Sequence, residues 1–267
     1  MTLRYEKKNQ IAWLTIDRPS VHNALDPDTI IAMLKAWEDY RDDPACLCAI
    51  ITGAGDQAFC TGMDLGATIA IMTGSRPPET EAERVLADRP EVIDQATLRN
   101  LELYKPVIAA VNGFAIAGGM EIVQATDIRI ASANAKFGLQ EVKWGLFPQG
   151  GSTVRLPRQI PYSKAMEIML TGELIDAEEA LRIGFINRII SQNNLLDEAE
   201  RIAQRIVRNG PLALRRIKES VIRCAGLSIE EGLAQEQILG REVFHSKDAK
   251  EGPRAFLEKR EPRFTGK

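Results

Sequence analysis

Two glycine-bearing bends and two glutamates hold most of the chemistry this sequence offers. The first bend is Ala58-Phe59-Cys60-Thr61-Gly62-Met63-Asp64-Leu65; the second is Asn112-Gly113-Phe114-Ala115-Ile116-Ala117-Gly118-Gly119-Met120-Glu121. In each, a glycine after an apolar run lets the backbone turn sharply and approach a ligand closely. Two such bends can aim two amides at one oxygen. Glu121 lies in the first turn after Gly118, so its carboxyl projects near that bend, and Glu141 follows the short apolar segment from Ala135 to Leu139. Taken alone, a glutamate at a helix start is commonly a cap or dipole partner, and one in a loop is commonly solvated. The residues by themselves leave both readings open.

The elements that must position these groups alternate between strand and helix. Ile11 to Ile16 alternates as a strand, and Arg18-Pro19 ends it by removing the next amide donor. Asp26-Pro27 starts a helix, with Asp26 as N-cap and Ile30, Ile31, Leu34 and Trp37 at helical spacing. Leu47 to Thr52 and Pro106 to Val111 have the apolar density of strands covered on both faces. Gly118-Gly119 opens a helix, and Ile128 to Ala131 returns to strand. Val92 to Leu103 reads as a helix. Residues 66–89 are polar, carry Pro77-Pro78, and read as including a covering loop. From Ser163 onward the chain reads as successive helices: Ala177 to Ile183, Leu195 to Val207, Pro211 to Cys224, Ile229 to Phe244 and Ala249 to Lys259. This order favours an α/β architecture with largely parallel pairing. The late helices either pack on their own core or supply subunit contacts.

Composition narrows the function. With 267 residues, 45% hydrophobic and 27% charged, the chain has ordinary globular composition and length for one sizeable core or two modest ones. Its 34 basic and 37 acidic residues give a net charge of −3, so there is no long-range positive field to draw in nucleic acid. The start of the chain lacks the features of a secretory signal, and no run has the roughly 18 apolar residues of a membrane span. A soluble cytoplasmic protein is expected. Cys46, Cys48, Cys60 and Cys224 show neither CxxC spacing nor nearby histidines, which argues against a zinc site and a disulfide framework. Gly53-Ala54-Gly55-Asp56-Gln57-Ala58 matches a dinucleotide fingerprint formally. It fails on context: Gly62 interrupts the helix that should follow, and no acid stands near Thr73-Gly74-Ser75.

Taken together, the segments resemble the crotonase superfamily, also called the enoyl-CoA hydratase/isomerase family. The resemblance covers nearly the whole chain: Ile16-Asp17-Arg18-Pro19 with Asn23-Ala24-Leu25, both glycine bends, Thr126 to Ala131, Phe137 to Glu141, and Thr171 to Gly184. It implies an α/β crotonase-type superhelix of repeated ββα units, with a core over residues 1–200 and a C-terminal helical region over 201–267 for oligomerisation and pocket closure. It also implies a homotrimer or dimer of trimers acting on an acyl-CoA thioester, with no metal and no cofactor beyond the coenzyme A of the substrate. By resemblance, the amides of Met63 and Gly118 form an oxyanion hole for the thioester oxygen, where enolate charge collects. Glu121 and Glu141 match the two catalytic glutamates of the hydratase branch, and Ala24, Ala58, Cys60, Gly62, Asp64, Leu65, Phe114 and Pro148 are the matching substrate-binding positions. Two carboxyls facing one apolar slot titrate as a coupled pair with one pKa raised.

The function this implies is hydration of a trans-2-enoyl-CoA to a 3-hydroxyacyl-CoA. Alternatives are an isomerase or specialised lyase on a steroid, aromatic or carnitine-derived CoA ester, or a noncatalytic acyl-CoA- or RNA-binding member. The chain departs from many hydratases at Gln149, where a glycine is common after the proline; its side chain either adjusts substrate choice or points to solvent. Trp144 and Phe147 read as core or as acyl-pocket lining. His22 and His245 read as surface or packing residues. Ser152 lacks the glycine pattern of a nucleophile elbow, and Arg215-Arg216-Ile217-Lys218 reads as a solvated helix face or a contributor to CoA phosphate binding.

Overall fold

The apolar runs of the sequence become strands of two sheets. The computed structural model describes residues 2–267. The strands are β1 (Leu3–Lys8), β2 (Ile11–Ile16), β3 (Cys48–Gly53), β4 (Ala58–Cys60), β5 (Val107–Val111), β6 (Phe114–Ile116), β7 (Ile128–Ser132), β8 (Lys136–Gly138), β9 (Ile175–Asp176) and β10 (Arg188–Ile190). The helices are α1 (Pro27–Asp42), α2 (Ala70–Met72), α3 (Glu81–Asp88), α4 (Glu91–Ala96), α5 (Gly118–Ala125), α6 (Ser152–Gln159), α7 (Tyr162–Thr171), α8 (Ala177–Arg182), α9 (Leu195–Val207), α10 (Pro211–Cys224), α11 (Ile229–Phe244) and α12 (Lys247–Leu257).

A six-stranded sheet runs β1-β2-β3-β5-β7-β10, parallel except for the β1–β2 hairpin, and a four-stranded sheet runs β4-β6-β8-β9. The expected strand–strand–helix repeat is present. In the pairs β3/β4, β5/β6 and β7/β8, the first strand joins the larger sheet, the second joins the smaller, and helix follows. Strands β3 and β5 are buried along their whole length, which is why both read as unbroken apolar runs. One face of the larger sheet packs toward α1, whose Ile30, Met33, Trp37 and Tyr40 are fully buried. The other takes α9, with Leu195, Ala199, Ile202 and Ala203 set against Ile11, Ile50, Ile108 and Ile130. Residue 200, the expected edge of the core, therefore falls inside a helix that covers the sheet.

Buried asparagines lock the crossing between sheets. Asn23 Nδ2 donates to the carbonyls of Ala54 (3.0 Å) and Ala58 (2.7 Å), and Asn112 Nδ2 donates to those of Gly55 (2.8 Å) and Ala58 (3.2 Å). Gly53–Ala58 is thus the link into β4, not the opening of a nucleotide-binding helix.

One expectation needs correction, and several elements carry no signal in the sequence. The helix expected over Val92 to Leu103 is only α4, ending at Ala96. Thr97 Oγ1 donates back to the Ile93 carbonyl at 2.9 Å, Leu98 takes a left-handed φ of 60°, and the Leu98 carbonyl accepts from Arg155 Nη2 at 2.8 Å. Residues 66–89, expected to include a loop, have one between α2 and α3, and Thr80 and Glu83 cap α3 reciprocally. Strand β1 has no sequence signal because Leu3–Lys8 is an exposed, mostly polar edge strand. No helix among the described residues is long and apolar enough to cross a membrane.

Candidate active site

The smaller sheet decides where the chemistry sits. Strands β4, β6 and β8 are adjacent and parallel, so their C-terminal ends open on one side. The chain leaving β4 carries Met63, the chain leaving β6 carries Gly118 and then Glu121, and the chain leaving β8 carries Glu141. Sequence separation becomes neighbourhood because consecutive parallel strands end together.

The two glycine bends abut. Gly62 has φ +92°, and a Cβ there would lie 3.0 Å from the Gly118 nitrogen. A Cβ on Gly118 would lie 3.8 Å from the Met63 nitrogen. Leu25 uses the flanking groups: its N–H donates to the Gly62 carbonyl (2.8 Å) and its carbonyl accepts from Asp64 N–H (3.0 Å). The amides of Met63 and Gly118 themselves have no acceptor among the described residues. Ala117 enters α5 at φ 50°, ψ −125°, a conformation costing about 1–3 kcal/mol for a residue with a Cβ. Two free amides at touching bends, one of them starting a helix, form a concentrated donor pair.

Glu121 and Glu141 are buried differently. Glu121, in the first turn of α5, is 5% exposed, and its Oε1 accepts from the Ser152 amide at 3.2 Å. Burial raises its pKa above the ordinary carboxylate value, and the Ser152 amide and hydroxyl, the Gly150 amide and the nearby Arg155 charge offset this only in part. Glu141 begins a short 3-10 turn, and its buried Oε2 has no hydrogen-bond partner. Burial pushes its pKa up to about 7, and the charge of Glu121 adds to that. The two carboxyls therefore sense one another, and Glu141 holds its proton more tightly.

The other expected residues divide. Asp64 accepts from the amides of Gly66 and Ala67 and pairs with Arg18, so it caps the turn over Leu65–Ile69. Arg18 Nη1 also holds the Ala24 carbonyl at 2.5 Å. Leu65 is exposed, and Phe114 and Pro148 are half-buried. The side chains of Ala58 and Cys60 are sealed in the core and support the first bend from behind. Burial pushes the Cys60 thiol up to about 12. Trp144 (66% exposed) and Phe147 (67%) are not core residues, and Gln149 is exposed beside them. The basic run in α10 is not a free solvated face. Lys218 pairs with Asp127 at 2.7 Å, and Arg216 pairs with Glu219 and Glu242. Arg215 and Arg216 line a cleft of about 620 Å³ with Tyr104 and Lys105, ahead of β5 and so at the opposite end of that strand from the second bend.

Sequence reasoning weighs Ser152 only as a nucleophile and passes over Gln124 and Arg155, all gathered behind Glu121. Ser152 comes from another element, and no local pattern announces such a contact.

A family model described as Enoyl-CoA hydratase/isomerase matches residues 6–267. Enoyl-CoA hydratase EchA19 of Mycobacterium tuberculosis is 43% identical over 259 residues, covering 97% of this chain and 94% of that protein. Carnitinyl-CoA dehydratase of Salmonella paratyphi A is 39% identical over 270 residues, covering 100% of this chain and 99% of that protein. The crystal structure of an enoyl-CoA hydratase from Bacillus anthracis superposes with a TM-score of 0.90 at 31% identity, covering 100% of both chains.

Proposed function

The chain belongs to the enoyl-CoA hydratase/isomerase family, and we propose that within it the chain adds water across the C2=C3 bond of a trans-2-enoyl-CoA to give a 3-hydroxyacyl-CoA. The observation that carries this reading is the unequal setting of the two glutamates: Glu121 faces donors, whereas the buried Oε2 of Glu141 faces none. Donors and Arg155 oppose the rise that burial gives Glu121, which suits it to serve as base, and a carboxyl with a pKa of about 7 keeps a proton to give.

In this mechanism Glu121 takes a proton from water as the water oxygen attacks C3. Electrons of the double bond move to the thioester oxygen as an enolate, which the Met63 and Gly118 amides stabilise; losing one such donor costs about 3–4 kcal/mol. The enolate collapses as Glu141 delivers its proton to C2, leaving hydroxyl on C3 and the thioester intact. Coenzyme A enters as part of the substrate, and no separate cofactor has a step. Glu121→Gln and Glu141→Gln should each lower kcat by at least about a hundredfold without loss of folding. Wild-type-like rates in either variant, read as loss of the conjugated thioester absorbance of an enoyl-CoA series, would remove that residue from the mechanism.

A modified acyl group, aromatic, steroidal or carnitine-derived, is the second reading of the substrate. It is favoured by the exposed Trp144, Phe147 and Gln149 following Glu141 and by the dehydratase name of one relative. Product mass and NMR separate hydration from isomerisation, which leaves mass unchanged. We also propose a cytoplasmic homotrimer or dimer of trimers, in which the region over 201–267 joins copies and closes the pocket. Supporting this, α10 to α12 leave Val221, Ile229, Phe244, Phe256 and Leu257 uncovered.

A further inference from the structure

Behind Glu121 lies a line of buried polar side chains that the addition of water does not by itself require. Gln124, one turn further along α5, is 2% exposed, and Ser152, the first residue of α6, is fully buried. Gln124 Nε2 donates to Ser152 Oγ at 2.9 Å, and the Ser152 amide donates to Glu121 Oε1 at 3.2 Å. A hydroxyl that accepts from Gln124 has one hydrogen left to donate, and the same residue's amide already holds the Glu121 carboxyl. Buried serine and glutamine side chains add nothing to an apolar core unless their bonds are used.

The charged groups around Glu121 cannot aim it alone. Arg155, from α6, lends positive charge, but its Nη atoms donate to the carbonyls of Leu98 (2.8 Å), Gly150 (3.4 Å) and Arg99 (3.4 Å). Arg99 stands beyond Arg155 and pairs with Asp94 at 2.8 Å. Glu141, from the turn after β8, repels. Orientation therefore falls to hydrogen-bond donors: the Ser152 amide holds Glu121 Oε1 at 3.2 Å, and the hydroxyl of the same residue is held by Gln124 at 2.9 Å.

We propose that Gln124 and Ser152 are positioning residues for Glu121: Gln124 fixes the Ser152 hydroxyl so that it donates to the Glu121 carboxylate, keeping it ionised and aimed while Glu141 carries the proton. This rests on the hydration reading for its consequence in catalysis, but not for the bond itself.

The test is Ser152→Ala, which keeps the backbone amide and Cβ and removes only the hydroxyl. An infrared titration of protein labelled at its glutamate carboxyls, with Glu121→Gln isolating the Glu121 band, should show the Glu121 pKa rising by about 1 unit. Gln124→Met should move it the same way by less, and Ser152→Thr should restore it. In turnover, the acid limb of kcat/KM should shift upward by the same amount while KM changes little, which a purely structural role would not produce. A folded Ser152→Ala protein whose Glu121 band titrates within about 0.2 unit of wild type overturns the proposal. Should Ser152→Ala not fold, Gln124→Met decides by the same criterion. A shifted band in a protein that hydrates no enoyl-CoA keeps the positioning pair and removes the hydration reading; an unshifted band in an active hydratase does the reverse.

Discussion

Replacing Gly150 by alanine should damage the chemistry far more than the fold. A Cβ at Gly150 would stand 2.7 Å from Glu121 Cδ and closer still to Oε2, whereas carbon atoms in ordinary contact lie about 3.5–4.0 Å apart. The carboxyl must therefore retreat by about 1 Å. It is the end of a flexible side chain, so the retreat is cheap for stability: overpacking costs about 1–3 kcal/mol, a drop of a few degrees in Tm for a chain of this length. For catalysis the same 1 Å takes Glu121 off the Ser152 amide and off its line to water, and a misplacement of about 1 Å costs about a hundredfold in rate. The assay is steady-state hydration of an enoyl-CoA, followed at the conjugated thioester absorbance, beside a thermal melt. We expect kcat lower by about a hundredfold, KM within about threefold of wild type, and a melt displaced by only a few degrees. A Gly150→Ala enzyme with wild-type kcat and an undisturbed melt would refute the placement of Glu121 in the reaction, because the geometry leaves its carboxyl no room to stay where it is.

Three further expectations follow from named features. Because Glu141 has its pKa pushed up to about 7 and acts in its protonated form, kcat/KM should fall about tenfold per pH unit above that value, and this limb should vanish in Glu141→Gln; a rate that keeps rising to pH 9 contradicts the assignment. In the β1–β2 hairpin, Asn9 and Gln10 both have positive φ (53° and 64°), so Gln10→Gly should relieve about 1 kcal/mol and raise Tm by about 2–4 °C, with an unchanged melt as the contrary result. Asn112→Ala strips donors from the Gly55 and Ala58 carbonyls and an acceptor from the Gly53 amide, so urea unfolding should report a loss of about 2–3 kcal/mol; a loss below about 0.5 kcal/mol would show that the crossing is held by other bonds.

How much of this was legible in the residues varies element by element. The buried strands at Cys48–Gly53 and Val107–Val111 and the capped helix at Pro27–Asp42 announce themselves because their signals are local: unbroken apolar runs, an N-cap Asp26 bonded to Thr29 N–H at 2.8 Å, and a proline at the first helical position. Edge strand β1 and the shortened α4 escape, since a polar edge needs no apolar pattern and α4 ends where Arg155, far along the chain, claims the Leu98 carbonyl.

At the candidate site, the sequence by itself determined which residues were available: glycines able to turn, two glutamates, and a family pattern that sets them in order. Tertiary structure alone decided that the strands carrying them end side by side, that the Met63 and Gly118 amides are left without acceptors, and that Glu121 has a donor from another element while the buried Oε2 of Glu141 has none. The physical reason is that turning and capping depend on neighbours along the chain. A carboxyl's charge state depends instead on which groups exclude water and which donate hydrogen bonds, and those come from segments that only folding brings together.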